Sequence, residues 1–104
     1  MKIVGIAACT SGIAHTYIAK EKLVNAGTQL GHQIHIETQG TIGTEDELTA
    51  KEIAEADVVV IAADIKVSGK ERFQGKHVVE VPTHIAIKSP KQLITKIQTD
   101  LGLS

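Results

Sequence analysis

The sequence predicts an α/β fold: a small open four-stranded parallel sheet, order 2-1-3-4, with helices on both faces. Three observations predict it. Residues 2–8 (KIVGIAA) and 57–63 (DVVVIAA) are continuous apolar runs rather than alternating ones, as in parallel strands covered on both sides. Stretches with helical spacing alternate with the apolar runs, which gives a β-α-β order and right-handed crossovers. The chain of 104 residues suffices for one core and contains no repeat, low-complexity tract or linker, so residues 1–104 read as a single domain.

The elements follow in order. Residues 2–8 form the first strand. From about Thr16 to Leu30, residues Ala19, Leu23, Ala26 and Leu30 make one apolar stripe, and Gly31 is placed to end that helix. Gly27 inside it costs up to ~1 kcal/mol relative to alanine. Residues 33–38 (QIHIET) alternate more and suit a strand nearer an edge. Thr49-Ala50-Lys51-Glu52 is a capping box that opens a short helix through Ala56. Residues 57–63 are the third strand. Between Ile65 and Lys76 the pattern is ambiguous, a loop with one helical turn around Glu71-Arg72-Phe73. Residues 77–81 (HVVEV) make the fourth strand, ended by Pro82. Ser89-Pro90-Lys91-Gln92 is a second capping box, with proline at the first helical position, and starts a helix to about Leu101.

Composition excludes several functions. Eleven basic against twelve acidic residues give a net charge of −1, and Tyr17 and Phe73 are the only aromatics, so nothing suggests a nucleic-acid surface. Cys9 is the single cysteine, which excludes an internal disulfide and a thiolate-rich zinc site. His32, His35, His77 and His84 lack metal-ligand spacing, so neither a metal nor a cofactor is expected. The apolar start is too short for a signal peptide, and no run approaches the ~18 residues of a membrane span, so a cytoplasmic protein is expected.

Chemistry concentrates at residues 9–16. A strand order of 2-1-3-4 places Cys9 at a topological switch point, where ligands bind in open sheets. Alone, a cysteine there reads as small buried filler. Its neighbours point elsewhere, because a helix N-terminus offers outward N–H groups and about half a positive charge, which favours thiolate character. Gly12 permits close backbone approach, Ala14 is small, Ser11 and Thr16 add hydroxyls, and His15 can donate a hydrogen bond or carry charge. Cys9 and Thr16 keep the C-x5-R-[ST] spacing of cysteine phosphatases, but His15 stands where the arginine would be. A permanent bidentate cation has become a titratable single donor, which suits holding a phosphoryl group better than hydrolysing it. Gly40 and Gly43 most simply make turns, although Gly40 could line the site. Asp64 at the end of the third strand could approach Cys9 but reads first as a cap. The run at 44–48 (TEDEL) reads as solvated surface.

At these residues the chain also resembles a family. The pattern C-[PT]-x-G-I-A-H-T-[YF] before a helix is similar to the fructose-type enzyme IIB component of the bacterial sugar phosphotransferase system. The resemblance continues through residues 36–64 and 71–81, with Thr10 standing where the family usually has proline. It implies a phosphatase-like phosphate loop after the first strand. There Cys9 is the nucleophile and Thr10, Ser11, Gly12, Ile13, Ala14, His15 and Thr16 hold the phosphoryl group. It further implies a donor, phosphohistidine on a IIA protein, and an acceptor sugar presented by a membrane IIC component, with this chain not itself inserted in the membrane. The sugar's identity, oligomeric state and status as free subunit or excised domain stay open. The competing readings are a small cysteine phosphatase or arsenate reductase-like enzyme, and a non-catalytic anion-binding module.

Overall fold

A computed structural model of the chain describes residues 1–9, 13–40 and 43–102. The strands are β1 (Lys2–Ala8), β2 (Gln33–Gly40), β3 (Gly43–Glu45), β4 (Val58–Ala63) and β5 (Val78–Val81). The helices are α1 (Ile13–Gln29), α2 (Ala50–Glu55), α3 (Thr83–Lys88) and α4 (Pro90–Asp100), with a 3-10 turn at Lys70–Phe73.

The sheet has five strands in the order β3-β2-β1-β4-β5, not the expected four. The four expected strands are parallel neighbours, β2-β1-β4-β5, but β3 pairs antiparallel with β2 through Thr38–Glu45, Gln39–Thr44 and Gly40–Gly43. The sheet is therefore mixed. A three-residue, exposed strand carries too little apolar pattern to register as one, which is why residues 44–48 read as solvated surface. Leu48, within that run, is in fact buried.

Residues of β1 and β4 alternate between two cores, as the period of two in a strand requires. Ile3, Ala7, Val58, Val60 and Ala62 pack on one face against Ala19, Leu23 and Ala26 of α1, Ala86 of α3, and Leu93, Ile94 and Ile97 of α4. Val4, Ile6, Ala8, Val59 and Ile61 pack on the other against Leu48, Ile53 of α2, Val67 and Phe73. Both faces are covered, as the unbroken apolar runs require. At Gly5 a Cβ would lie 2.1 Å from the carbonyl oxygen of Val60, so the strands meet there only because the side chain is absent. Gly27 has a similar reason, since a Cβ there would come within 3.0 Å of Ile34 Cγ2. The helix accepts the propensity loss to pack closely on β2.

Several boundaries differ from the sequence reading. α1 begins at Ile13 rather than near Thr16, which places His15 and Thr16 in its first turn. The capping box at Thr49 forms in both directions, with Glu52 N–H donating to Thr49 Oγ1 and Thr49 N–H to Glu52 Oε1. The one at Ser89 does not form: its side chain makes no capping bond. Ser89 also terminates α3, an additional helix, and its N–H is spent on the Ile85 carbonyl, at φ −136° and ψ 50°. That ψ lies outside the extended region an N-cap usually adopts.

Candidate functional site

Three elements converge at the C-terminal ends of β1 and β4. Cys9 directly follows β1 and is 6% exposed. His15 comes from the first turn of α1, and its Nδ1 lies 2.9 Å from Cys9 Sγ. Asp64 directly follows β4, and its Oδ2 accepts from Cys9 Sγ at 3.2 Å. The placement follows from the topology: β1 and β4 are hydrogen-bonded neighbours, so residues ending them are adjacent, and Asp64 N–H donates to the Ala8 carbonyl at 3.1 Å.

Asp64 does both things the sequence left open. Thr83 at the start of α3 donates its N–H to Oδ1 at 3.0 Å and its hydroxyl to Oδ2 at 2.6 Å, so the carboxylate closes the α3 N-terminus while facing Cys9. The Thr83 hydroxyl, then its N–H, then the Cys9 thiol hold the Asp64 carboxyl below its ordinary range. Thr83 is 1% exposed, and sequence reasoning did not identify it. Its signal was faint, a hydroxyl residue just after the proline that ends a strand.

Thr16 is buried and Ala14 exposed in the same turn of α1. The backbone of Ile13 opens the helix. The first N–H groups of such a helix have no acceptor within it. The positions expected to complete the anion loop, Thr10, Ser11 and Gly12, lie outside the described residues. Gly40 lines a cavity of about 470 Å³ that Cys9 also lines, together with Gln39, Gly43, Thr44, Ile65, Lys66 and Ser68. A larger groove of about 580 Å³ lies beside the C-terminal half of α1, with lysines but no cysteine, histidine or carboxylate in its lining.

The walls of the Cys9 cavity are fastened from below. Gln39 exchanges two bonds with the backbone of Ser68, both 2.8 Å. It also donates to Glu37 Oε2 at 2.9 Å. Glu37 is fully buried and is met by Arg72 Nη1 at 2.9 Å, Arg72 Nη2 at 3.1 Å and Leu48 N–H at 3.0 Å. Burial pushes the Glu37 carboxyl up, but the bonds from Arg72, Gln39 and Leu48 outweigh it and leave it below its ordinary range. Above the sheet, the Tyr17 hydroxyl donates to Glu45 and ties β3 to the first turns of α1. On the β3 side, Asp46 takes Lys20 at 2.6 Å and His35 at 3.2 Å, so the return of the chain from β3 is held from both faces.

With an imidazole and a carboxylate each in contact with the thiol, the site can present a sulfur nucleophile beside a proton acceptor. Residues 4–96 match the family described as "PTS system, Lactose/Cellobiose specific IIB subunit". The fructose-like EIIB component 2 of the phosphotransferase system of Escherichia coli K12 is 44% identical over 101 residues, covering 97% of this chain and 95% of that protein. The fructose-specific EIIABC component of Bacillus subtilis is 43% identical over 95 residues, covering 91% of this chain but 15% of that protein. The solved structure of an Enzyme IIB subunit from Escherichia coli K12 superposes with a TM-score of 0.91 at 34% identity, covering 97% of this chain and 94% of that one. By family match, by identity over nearly its whole length and by fold, the chain belongs to the IIB family of sugar phosphotransferase systems.

Proposed function

We propose that the chain receives a phosphoryl group on Cys9 from phosphohistidine of a IIA protein and passes it to a fructose-like sugar held by a membrane IIC component. One observation carries this reading: the buried sulfur ending β1 lies against His15 in the first turn of α1. In the first step the sulfur attacks phosphorus in line. The P–N bond breaks as the P–S bond forms, the thiol proton passes to His15, and the leaving imidazole takes a proton from solvent. In the second step a sugar hydroxyl oxygen attacks, the P–S bond breaks and sulfur leaves as thiolate. Such transfers depend on positioning and on stabilising the three equatorial oxygens. First-turn N–H groups of α1, the residues at 10–12 and the imidazole are suited to that stabilisation. Lys66, on the cavity wall, offers a further cation.

The carrier reading is favoured over the phosphatase one by the fate of the chain's single arginine. Arg72 is committed to Glu37, so no guanidinium is left to clamp a phosphate. Asp64 also places a negative charge near the sulfur, which keeps a phosphocysteine ready to give up its group. The fructose-like acceptor is supported by the names of the relatives, several of which are fructose-type, although the matched family carries a lactose/cellobiose description. Partnership with IIA and IIC is supported by relatives whose names join these components in one protein. No described helix is long and apolar enough to cross a membrane, in keeping with a cytoplasmic chain that reaches the membrane through IIC.

The test is incubation with phosphoenolpyruvate, the general phosphotransferase proteins and a cognate IIA. The chain gains the mass of one phosphate, and Cys9→Ser gains none. Failure of the native chain to load, or labelling of a histidine in Cys9→Ser, overturns the reading. Steady hydrolysis of an aryl phosphate would support the phosphatase instead.

A further inference from the structure

We propose that Cys9, His15 and Asp64 form a thiolate–imidazole–carboxylate site for a zinc ion, and that its occupation reversibly blocks phosphoryl transfer. Binding is argued from geometry alone; the regulatory consequence rests on the phosphocarrier reading. Cys9 Sγ, one imidazole nitrogen of His15 and one carboxylate oxygen of Asp64 all lie within 4.8 Å of one another. Sulfur stands 2.9 Å from the imidazole nitrogen and 3.2 Å from the carboxylate oxygen. Tetrahedral zinc with ordinary bond lengths separates such ligand atoms by roughly 3.5 Å. The two separations from sulfur therefore widen by only a fraction of an ångström to take the ion.

The donor set selects the metal. A thiolate with an imidazole favours zinc over the hard cations magnesium and calcium, which take oxygen ligands. Three protein ligands leave a fourth position for water. The ligands come from three separately anchored places, the end of β1, the first turn of α1 and the end of β4. Asp64 is further oriented by Thr83, whose hydroxyl and N–H fix both carboxylate oxygens, the kind of outer contact that holds a metal ligand in place. From the sequence, Asp64 is only a residue that could approach Cys9, and a separation of 55 positions shows no metal-ligand spacing. Binding is a simple exchange: the thiol proton goes to solvent, and the sulfur lone pair that would attack phosphorus is engaged by the ion. No electron moves.

The test uses the reduced full chain with cobalt(II) or zinc(II) ions alone. Cobalt produces a near-ultraviolet thiolate-to-metal charge-transfer band with the visible bands of tetrahedral coordination, and zinc displaces it. Cys9→Ser abolishes the band. Thr83→Val, which keeps every ligand, weakens binding about 10-fold, and His15→Ala and Asp64→Asn, which each remove a ligand, weaken it further. No band, an octahedral spectrum, or equal affinity in His15→Ala and Asp64→Asn overturns the site. In the second arm, zinc stops loading from phosphorylated IIA and a chelator restores it. Zinc binding without loss of loading overturns the regulatory half. If the zinc-free chain never loads while the cobalt band forms, the phosphocarrier reading fails and the metal site stands. Normal loading with no band sinks the metal site alone.

Discussion

Arg72→Ala tests the fastening beneath the Cys9 cavity. Glu37 is 0% exposed and accepts from Arg72 twice, from Gln39 and from the Leu48 N–H. Truncating Arg72 leaves the carboxylate with the last two donors and no countercharge. Removing one partner of a buried ion pair costs ~3–5 kcal/mol. The Arg72 side chain is 24% exposed, so water reaches part of the gap and the loss falls near the low end, about 3 kcal/mol. At ~4 °C or more per kcal/mol for a domain of this size, Tm falls by roughly 12 °C.

The same residue gives a pH signature. Glu37 titrates below its ordinary 4.5 in the folded protein. A depressed carboxyl contributes stability above its unfolded value, and that contribution is lost as pH falls through the folded value. Without Arg72 the largest lowering contribution is gone, while Gln39 and the Leu48 N–H still lower the group and burial still pushes it up. The deficit of Arg72→Ala is therefore largest at neutral pH and shrinks as pH drops below 4.5. Urea denaturation across that range, with Tm alongside, measures it. Glu37→Gln added to Arg72→Ala recovers more than half of the loss, since a neutral amide needs no countercharge. A neutral-pH deficit under ~0.5 kcal/mol, the range of ordinary surface changes, or one that does not vary with pH, would refute the reasoning.

Two further outcomes follow from the geometry. Gly5→Ala destabilises by at least the upper end of ~1–3 kcal/mol, because its Cβ meets backbone rather than a movable side chain; an unchanged denaturation midpoint would show that the strands can part. His15→Ala slows loading of Cys9 or shortens the phosphocysteine lifetime while Tm changes little, as His15 is only half-buried; rapid-quench loading and decay at native rates would make the imidazole a bystander.

The central strands were legible because β1 and β4 are covered on both faces, and an unbroken apolar run has few other meanings. Cys9 and His15 were legible because they fall within one short segment whose spacing resembles a known loop. Asp64 was visible only as a residue that could face either way, since its choice depends on Thr83, nineteen positions on. Glu37, Gln39 and Arg72 passed unnoticed as functional support. A lone acid at an inward-facing position of β2 is a signal, but its partner sits in the stretch 65–76 that carried no clear pattern. The extra helix α3 was hidden for a similar reason: six residues bounded by a proline and a serine that also starts α4 give no full apolar repeat.

The exposed three-residue β3 has a consequence for life at high concentration. An open row of backbone donors and acceptors at a sheet's margin invites a strand from another molecule, and long flat margins are where sheets merge into aggregates. Here β5 is only four residues long, and β3 covers Thr38–Gly40 of β2 but leaves residues 33–37 as the remainder of that margin. The two end strands are too short to hold a foreign strand over many pairs, so side-by-side joining of sheets between crowded copies has to begin on the uncovered stretch of β2.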